Sequence, residues 1–498
     1  MTAMTATPSH PGEAHPERWI ALAALLFAGF MNLIDVTIVN VALPSLQTNL
    51  GATSTEIEWV VAAYILAFAL GLLPFGRLGD QVGRKKIFLL GVAGFTLFSA
   101  LCGLAPTIDT LIIARVFQGL AGAMMMPQVL AIVQVAFPPQ ERGLAFSLFG
   151  LTAGLASVCG PLVGGLLIDA DLAGLDWRPI FLVNIPIGIA VIAGGRRYIP
   201  KLAGNPSLRN DWGGMVIAAI SIFLLVFPLI EGRTYDWPVW AFASIAASAL
   251  GFAAFYVYEA SRARRGLSEL LPVSLLSNGN FLLGILLTTI FFSGVAGFFM
   301  VLAVFLQSGF GFSPLESGLT TVPFPLGVLV ASVLSGRANG RWPRQRLVLG
   351  ALVLVGGMVA LQFVVGKVAD TVDHWQFVAP LLACGFGMGI GISSLFQTVL
   401  AGVPPRDAGS GSGALQSFQQ IGSGIGVAIC GQIFFSTIST DMASGLLRHP
   451  AFVAGMQNAL IFEAAVFLTA ALLVAFLKAP PAYTAHQSAP AHAAPVEV

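Results

Sequence analysis

The stretch Gly76-Arg77-Leu78-Gly79-Asp80-Gln81-Val82-Gly83-Arg84-Lys85-Lys86 carries four cations and one acid in eleven residues. The apolar runs at 57–76 and 87–105 flank it, and each has the roughly 20 residues that a helix needs to cross a bilayer. A charge cluster this dense belongs in water or among lipid headgroups. The stretch therefore predicts a short loop that joins two membrane spans.

The composition of the 498-residue chain is that of a membrane protein. Hydrophobic residues make up 56% and charged residues only 9%, whereas soluble chains carry roughly 25% charged residues. The net charge of +1 gives no reason to expect a nucleic-acid partner. The cysteines lie inside apolar runs without metal-ligand spacing, so we expect small buried side chains, no metal site and no cofactor. They are Cys102, Cys159, Cys384 and Cys430.

Apolar runs along the chain predict an all-α membrane protein with 14 transmembrane helices. They lie at 19–43, 57–76, 87–105, 110–133, 143–168, 179–198, 212–231, 237–259, 280–306, 315–336, 345–366, 375–402, 409–436 and 457–478. Residues 1–17 are polar and precede a run that is long enough to span. We therefore expect no cleavable signal and a first helix that stays in the membrane.

The positions of Lys and Arg predict the orientation of the chain. If the N-terminus is cytoplasmic, 19 of the 24 cations lie in cytoplasmic segments, four in outer segments and one, Arg115, inside a span. Cytoplasmic loops of membrane proteins are enriched in Lys and Arg. The bias predicts an even number of spans, both termini in the cytoplasm, and a multi-pass protein of the bacterial cytoplasmic, or inner, membrane.

The charged stretch has the pattern Gly-x-Leu-x-Asp-x-x-Gly-Arg-Lys-Lys. This pattern resembles the signature of the major facilitator superfamily, which joins spans 2 and 3 on the cytoplasmic side. The resemblance implies two six-helix halves with a substrate site between them near the middle of the membrane. Fourteen spans then divide into a cytoplasmic tail at 1–18, an N-terminal half at 19–200, two inserted helices with linkers at 201–270, a C-terminal half at 271–478 and a disordered cytoplasmic tail at 479–498.

Motifs in the first and fourth spans are similar to those of fourteen-span drug:H+ antiporters. The segment 33–44, Leu-Ile-Asp-Val-Thr-Ile-Val-Asn-Val-Ala-Leu-Pro, resembles the first-span signature of that family. Leu111-x-x-x-Arg115-x-x-Gln118-Gly119-x-x-Gly122-Ala123 resembles the superfamily's fourth-span motif, whose Arg is implicated in proton transfer. The resemblance implies a multidrug-efflux type of transporter with Asp35 and Arg115 in proton coupling.

The fifth span carries Ala156-x-x-x-Gly160-Pro161-x-x-Gly164-Gly165. This segment resembles the fifth-span antiporter motif, with Ala156 in place of the usual Gly. Small residues let helices approach closely, and Pro161 permits a bend. Taken alone, a span rich in small residues is more often only a packing surface. The pattern Trp177-Arg178-x-x-Phe181-x-x-Asn184-x-Pro186 is also similar to this family.

Ionisable residues inside the membrane are costly and are therefore functional candidates. The predicted spans contain three, Asp35, Arg115 and Glu463. At about 1.5 Å per residue, Asp35 lies about 13 Å and Arg115 about 8 Å from the outer ends of their spans. A buried carboxylate and guanidinium at similar depth are cheaper paired than apart. They could form a proton switch, or a permanent ion pair that only holds spans 1 and 4 together.

Histidine narrows the proton chemistry, because no histidine lies inside a predicted span. If transport is coupled to protons, a carboxylate must carry them, and Asp35 beside a movable Arg115 would be a workable switch. Glu463 lies about one turn inside span 14 as bounded above. We expect it to be an interfacial carboxylate that reaches water, because long polar side chains near helix ends extend to the interface.

The loop after span 2 has two interpretations. The resemblance implies that Gly76, Asp80, Gly83 and Arg84 form a latch that joins the two halves on the cytoplasmic face. An acid is favoured near a helix N-terminus, which gives Asp80 a physical reason to dock on the other half. Alternatively, the cations only fix the topology, but that role does not require Asp80.

The substrate cavity is the least readable part of the sequence. We expect polar or flexible side chains along it, and the candidates are Asn40, Gln118, Met125, Gln397 and Gln416. Span 9 carries phenylalanines that could line an apolar cavity, although lipid contact or packing is the better expectation because aromatics are common on both surfaces. They are Phe291, Phe292, Phe298, Phe299 and Phe305.

Three classes of function remain open at the level of sequence. The first is a proton-coupled exporter of amphipathic, drug-like compounds, and the second is a transporter of one dedicated metabolite, such as a self-made antibiotic or siderophore. The third, a membrane enzyme or receptor, lacks any visible nucleophile motif or histidine cluster. No Walker-type phosphate loop is present, so ATP is not the expected driving force. The expected partners are small amphipathic molecules, protons and the lipid bilayer, with a periplasmic adaptor protein as a further candidate.

Overall fold

The computed structural model describes residues 17–52, 54–171, 174–209, 211–232, 235, 237–337, 342–368 and 370–477, and over these residues the chain forms helices and no strands. In chain order the helices are α1 (Arg18–Leu50), α2 (Ser54–Val82), α3 (Arg84–Gly103), α4 (Ile108–Ala136), α5 (Pro139–Asp169), α6 (Pro179–Leu182), α7 (Asn184–Tyr198), α8 (Trp212–Glu231), α9 (Val239–Arg264), α10 (Val273–Leu276), α11 (Gly279–Val304), α12 (Pro314–Thr321), α13 (Pro323–Arg337), α14 (Pro343–Val365), α15 (His374–Ala401), α16 (Ala408–Ala443) and α17 (Arg448–Leu473). The predicted tail at 479–498 and most of that at 1–18 lie outside the described residues.

Twelve helices of the described chain are long and apolar enough to cross a membrane. The other two predicted spans, 143–168 and 315–336, fall on α5 and on the pair α12 and α13. The helix breaks between α12 and α13 at Val322, immediately before Pro323, which has no backbone N–H to donate. The all-helical membrane fold is confirmed, whereas the count of fourteen spans is not.

Local sequence sets the ends of the helices that matter for the site. Gly83 separates α2 from α3 with φ of 111°, a conformation that residues with a Cβ rarely adopt. Thr107 caps α4 through a reciprocal capping box with Thr110. The α4 helix thereby begins about 10 Å before its embedded Arg115, and the α2–α3 connection is a single residue.

Helix contacts fall into two groups. In the first, α1 packs on α5 and α7, while α4 packs on α2 and α3. In the second, α11 packs on α16 and α17, while α15 packs on α13 and α14. The helices α8 and α9 pack on each other, and α8 also contacts α2 and α16. This pattern resembles two bundles with an added pair, and the domain limits at 200 and 270 stay a prediction.

The two groups meet along two seams. One places α16 against α2 and α4, and the other places α5 against α12, α13 and α15. Each seam therefore pairs helices from different groups, and a space between the groups must lie between these seams.

Ion pairs and hydrogen bonds connect segments that the sequence predicts to lie on the same side of the membrane. On the face rich in cations, Arg18 pairs with Glu141 at 2.7 Å and Arg344 donates to the carbonyl of Val474 at 3.1 Å. On the opposite face, Arg178 donates to the carbonyl of Ala105 at 2.9 Å. We call these the cation-rich face and the opposite face. The orientation of the cation-rich face toward the cytoplasm stays a prediction.

Candidate functional site

Asp35 and Arg115 are in direct contact between α1 and α4, and neither side chain is exposed. Arg115 Nη1 donates a hydrogen bond to Asp35 Oδ2. Arg115 Nε donates to the carbonyl of Val60 on α2 at 3.0 Å, which holds the guanidinium among three helices. An isolated charge would be very costly in this position, so each ion is stabilised by the other.

Two amide side chains complete the cluster around Asp35. Gln118 Nε2 donates to Asp35 Oδ1 at 2.9 Å, and Gln118 Oε1 accepts from Arg115 at 2.8 Å. Asn184, the first residue of α7, donates to Asp35 Oδ1 at 3.1 Å and to Ser99 Oγ on α3 at 2.9 Å. All five side chains are fully buried. Asp35 therefore links α1, α4 and α7 directly, and α3 through Asn184.

The guanidinium of Arg115 also has an aromatic neighbour. Its Cζ lies 4.2 Å from the centroid of the Tyr64 ring, within the range of a cation–π contact. Tyr64 in turn donates its hydroxyl to Asn32 Oδ1 at 2.8 Å. Arg115 Nη2 has no hydrogen-bond partner among the described residues. The cation is thus enclosed, but one of its donor groups is unused in this state.

The seam between α1 and α5 lies next to this cluster. A Cβ atom on Gly160 would lie 1.9 Å from Oγ1 of Thr37, so only glycine fits there. Thr37 Oγ1 donates across the seam to the carbonyl of Ala156 at 3.1 Å. In contrast, a Cβ on Gly165 would meet nothing within 4 Å. Within the antiporter-like motif, then, Gly160 has a steric role close to Asp35, and Gly165 does not.

The remaining members of that motif carry less information. Gly164 is buried in α5, and the side chain of Pro161 lies outside the described part of the chain. Helix α5 continues without interruption from Pro139 to Asp169. The roles of Pro161, Gly164 and Gly165 stay predictions.

Asp80 caps the N-terminus of α16, which belongs to the other helix group. Its Oδ1 accepts from the backbone N–H of Gly409 and its Oδ2 from that of Ser410, both at 2.8 Å. The Ser410 hydroxyl adds a bond at 3.1 Å, and Arg84 pairs with Asp80 at 2.8 Å. An acid at this position is favoured because the first N–H groups of a helix are unpaired and the helix dipole is positive there.

Backbone contact accompanies the Asp80 cap. A Cβ on Gly76 would lie 2.5 Å from the carbonyl oxygen of Gly409, so the two chains touch there without side chains. Arg84 Nη2 donates to the carbonyl of Pro405 at 2.5 Å, and Arg77 pairs with Asp407 at 3.4 Å. We call Gly76, Arg77, Asp80 and Arg84 with 405–410 the cation-rich clasp. It closes the space between the two helix groups on that face.

A cavity of about 140 Å³ lies between the two groups. Its wall comes from the middle of α5 and from α11, α13, α15 and α16. The lining residues are mostly aromatic or aliphatic: Phe149, Gly150, Ala153, Gly154, Phe292, Val295, Phe299, Phe324, Met388, Ile392, Phe396 and Gln419. Among the described lining residues, Gln419 is the one polar side chain, and none is charged.

Residues 25–427 match the family model described as the Major Facilitator Superfamily. The chain belongs to this superfamily. Over 433 residues it is 39% identical to a "Probable actinorhodin transporter" of Streptomyces coelicolor, a match that covers 87% of this chain and 75% of the relative. It is 32% identical over 422 residues to "Multidrug resistance protein Stp" of Mycobacterium tuberculosis, covering 84% and 76% of the two chains.

A solved structure shares the fold at low sequence identity. The proton:xylose symporter XylE, bound to 6-bromo-6-deoxy-D-glucose, matches with a TM-score of 0.64 and 13% identity over 93% of this chain and 96% of that one. The family match and the sequence relatives confirm the resemblance to the major facilitator superfamily, and with it a multi-pass membrane transporter. The relatives that match in sequence include proteins named as an antibiotic transporter and as a multidrug resistance protein.

In this major facilitator protein, four of the five predicted cavity residues, Gln118, Met125, Gln397 and Gln416, lie outside the described cavity wall. Gln118 belongs to the Asp35 cluster, and Met125 is buried where α4 meets Gly91 of α3. Gln416 is buried in α16, whereas Gln397 lies beside Gly143 of α5. The side chain of Asn40 lies outside the described part of the chain. Contact between these five residues and a substrate stays a prediction.

The phenylalanines of the ninth predicted span divide into two sets. Phe292 and Phe299 line the cavity, a place for which the sequence favoured lipid contact or packing. Phe291, Phe298 and Phe305 are buried in helix packing, as expected. The side-chain type is the same in both sets, so the four that belong to α11 differ only in their angular position on the helix, and Phe305 directly follows α11.

The prediction that Glu463 reaches water is wrong, because its side chain is fully buried. The helix that carries it begins at Arg448, nine residues before the predicted start of that span. At about 1.5 Å per residue, Glu463 is therefore about 22 Å from the N-terminal end of α17, near the middle of the helix. Residues 451–456 are apolar or small and continue the span, so its predicted start was placed too late in the sequence.

Ser99 and Asn184 were also missed as members of the Asp35 cluster. Asn184 stands in the Trp177–Pro186 pattern, so that pattern was the available signal. Ser99 gave none, since serine is common in helices. Over the described residues, no group of three or more His, Cys, Asp or Glu side chains is placed to hold a metal ion.

Proposed function

We propose that this protein is a proton-coupled antiporter that exports amphipathic, largely aromatic compounds across the bacterial cytoplasmic membrane. The observation that carries this proposal is the fully buried Asp35–Arg115 pair with its amide partners. Histidines are absent from the predicted spans, so a carboxyl group must carry a coupled proton. Asp35 is the candidate because its carboxyl group is paired with Arg115. The ion pair can separate when Asp35 binds a proton and form again when the proton leaves.

The chemistry of the pair supports an exchange of charge partners. When Asp35 binds a proton, the ion pair is lost and Arg115 needs another acceptor or water. Its unused Nη2 and the neighbouring Tyr64 ring give the cation alternative contacts. Gln118 on α4 and Asn184 on α7 both donate hydrogen bonds to Asp35. Protonation of Asp35 would therefore alter the packing of α1 against α4 and α7.

The cavity supports the proposed class of substrate. Its wall offers aromatic faces and one amide but no charge, which suits flat apolar molecules with few polar groups. Two sequence relatives are named as an actinorhodin transporter and as a multidrug resistance protein, which is consistent with a drug-like substrate. An apolar wall with one amide discriminates weakly between such molecules, which favours a broad substrate range.

The cation-rich clasp supports an alternating-access cycle. In the state described here it closes the face that we propose to be cytoplasmic. A substrate that entered from the cytoplasm would then be released on the opposite face, and proton binding to Asp35 would favour the return. Export against a gradient requires that one step of this cycle depends on the proton.

The test is uphill efflux of a fluorescent polyaromatic compound from cells, with and without a proton uncoupler. We expect wild-type efflux to collapse with the uncoupler, Asp35→Asn to lose uphill efflux, and the exposed acid variant Asp109→Asn to behave as wild type. Asp35→Asn is expected to retain downhill exchange of the compound. Uphill efflux by Asp35→Asn at wild-type rate, or wild-type efflux that resists the uncoupler, would refute the coupling.

A transporter of one dedicated metabolite is the second candidate. The 39% identity to a relative named for a single antibiotic favours it. The two candidates differ in range, so a panel of neutral, anionic and cationic compounds separates them. Resistance to several unrelated compounds would support the multidrug function, and resistance to one structural class would support the dedicated function.

A further inference from the structure

A buried acid lies in the C-terminal helix group, far from the Asp35 cluster. Glu463 of α17 points into the junction of α11, α16 and α17, and its side chain is 0% exposed. Neither Oε1 nor Oε2 has an N–H or O–H hydrogen-bond partner among the described residues, and the thiol of Cys430 is its weak polar neighbour. Buried polar groups in proteins are nearly always paired, so an unpaired carboxyl group requires an explanation.

Glycines make the space that this carboxyl group occupies. A Cβ on Gly294 would lie 3.0 Å from Glu463 Oε2, and a Cβ on Gly297 would lie 2.8 Å from Oε1. Both glycines belong to α11, and a Cβ on Gly297 would also lie 2.7 Å from Cβ of Cys430 on α16. The carboxyl group thus lies in a slot on α11 that these two glycines leave open.

No cation compensates Glu463 from the helices that pack on α17. Cys430 is the titratable group that faces it from α16, while α11 contributes no titratable residue. On α14, Arg344 contacts the carbonyl of Val474, about 16 Å along α17 from Glu463, and Arg346 lies within a turn of Arg344. Arg448 and His449 lie at the other end of α17, about 20 Å away.

An ionised carboxylate in such a place would be very costly, because neither water nor a counter-ion solvates it. The neutral acid is much cheaper, so the geometry requires Glu463 to hold a proton in this state. If the junction opens to water, the proton can leave. The step is a simple acid dissociation in which the O–H bond breaks and water takes the proton.

We propose that Glu463 is a second proton-binding site of this transporter, in the helix group opposite that of Asp35. Its link to the substrate is α11, whose Phe292 and Phe299 line the cavity. Gly294 is two residues from Phe292, about 200° around the helix, so the cavity and the Glu463 slot lie on opposite sides of α11. Movement of α11 on substrate binding would therefore change the slot. The role in transport rests on the proposed proton coupling, whereas proton binding itself does not.

The first experiment measures protonation without transport. The purified full-length protein in lipid nanodiscs is titrated between about pH 6 and pH 10, the range in which buried carboxyl groups often titrate, and infrared difference spectra record the C=O stretch of protonated carboxyl groups. We expect one component of this band to be lost in Glu463→Gln and retained in Asp35→Asn. The matched control Asp109→Asn, which removes a water-exposed acid, should retain it as well.

A titration of Glu463→Gln that superimposes on that of wild type would overturn the proposal, since Glu463 would then hold its proton permanently. Glu463→Asp covers the case in which the Gln variant does not fold. It keeps an acid on a shorter side chain, so the same component should remain with a shifted midpoint. An unshifted midpoint in the Asp variant would also count against the site.

The second experiment connects the site to transport. In proteoliposomes, Glu463→Gln should lower the proton-to-substrate ratio by roughly one proton per cycle while substrate binding stays within about twofold of wild type. An unchanged ratio would remove Glu463 from the transport cycle. Failure of the proposed function is a separate outcome, because it appears as wild-type transport that is insensitive to a proton gradient, whatever the infrared titration shows.

Discussion

At the scale of single residues, the Asp35 cluster concentrates the functional chemistry of the N-terminal helix group. Asp35 accepts hydrogen bonds from Arg115, Gln118 and Asn184, and no atom of these side chains reaches water. Each interaction crosses between helices, so the loss of one partner leaves an uncompensated group in an apolar setting. A proton that neutralises Asp35 has the same effect on Arg115 as a mutation would, which is why a buried pair can act as a switch.

Arg115→Ala should destabilise the protein more than Arg178→Ala. The first variant leaves the Asp35 carboxylate buried without its cation, at a cost of about 3–5 kcal/mol. The second removes bonds to the carbonyls of Gly103 and Ala105 near the opposite face, at a cost of about 1–3 kcal/mol. Thermal unfolding of the purified variants measures the difference. Equal midpoints for the two would argue that the Asp35–Arg115 pair contributes no more than a loop contact.

Gln419→Glu should change the substrate preference of the cavity. The substitution keeps the shape of the one polar side chain in the wall and adds a negative charge. Efflux of lipophilic cations should rise relative to neutral analogues by about tenfold, which corresponds to ~1.4 kcal/mol. Gln432→Glu is the matched control, because Gln432 is an exposed residue of the same helix and lies outside the described cavity wall. The assignment of the cavity would be undermined if both variants gave the wild-type ratio of cation to neutral efflux.

Some of these residues were predictable from the sequence and others were not, for a physical reason. Asp35 and Arg115 were conspicuous because charges are rare in apolar spans. Ser99 carries no such signal, since its hydroxyl costs little in a helix and most often bonds its own backbone. Glu463 was noticed but misplaced, because the level of a side chain depends on where its helix begins. The cavity wall was not predictable, since apolar side chains look alike whether they face lipid, packing or a substrate.

At the scale of helices, close approach depends on a few glycines. Gly160 allows α5 to meet α1 at Thr37, two residues after Asp35. Gly76 allows α2 to meet the start of α16, and Gly297 allows α11 to meet α16 and the Glu463 side chain. In a membrane, where apolar burial does little to drive helix association, such close packing is a main source of stability. The helices that carry the buried acids are thus held at positions that a methyl group would disturb.

Gly160→Ala should weaken the seam between α1 and α5, whereas Gly165→Ala should not. The added methyl group at 160 would overlap Oγ1 of Thr37, and overpacking of this kind costs about 1–3 kcal/mol. The same change at 165 meets open space and improves helix propensity by about 0.5–1 kcal/mol. We expect a lower unfolding temperature and impaired uphill efflux only for the variant at 160. Equal effects of the two changes would show that the seam tolerates a side chain at Gly160.

At the scale of the whole molecule, the two helix groups are joined more firmly on one face. The cation-rich clasp combines the Asp80 cap, two Arg contacts and a backbone approach at Gly76. Gln134 adds a bond to the carbonyl of Leu400 at 2.6 Å. The motif that contains Asp80 was visible in the sequence, but its partner at 405–410 was not, because that segment lies more than 300 residues away and has no recognisable pattern of its own. Only the fold brings the two together.

We expect Asp80→Asn to weaken the cation-rich clasp. Asp80→Asn replaces one carboxylate oxygen with an NH₂ group, which cannot accept from the N–H groups at the start of α16. Charge-assisted bonds of this type contribute about 1.5–3 kcal/mol, and a loss of ~1.4 kcal/mol already shifts a two-state balance tenfold. The cation-rich face should therefore open more often. The reporter is Ser412→Cys in an otherwise cysteine-free background, because Ser412 is fully buried against the carbonyl of Pro127 between the groups.

Labelling of this reporter by a water-soluble maleimide should accelerate about tenfold with Asp80→Asn, in line with the shift in balance. Glu141→Gln is the matched control, since the Arg18–Glu141 pair lies on the same face but within one helix group. A cysteine at the exposed Ser207 corrects for intrinsic reactivity. If Asp80→Asn and Glu141→Gln label at the same rate as the parent and transport is normal, Asp80 has no part in holding the groups together. Faster labelling with slower uphill efflux, at unchanged substrate affinity in detergent, would show that the clasp sets the balance between access states.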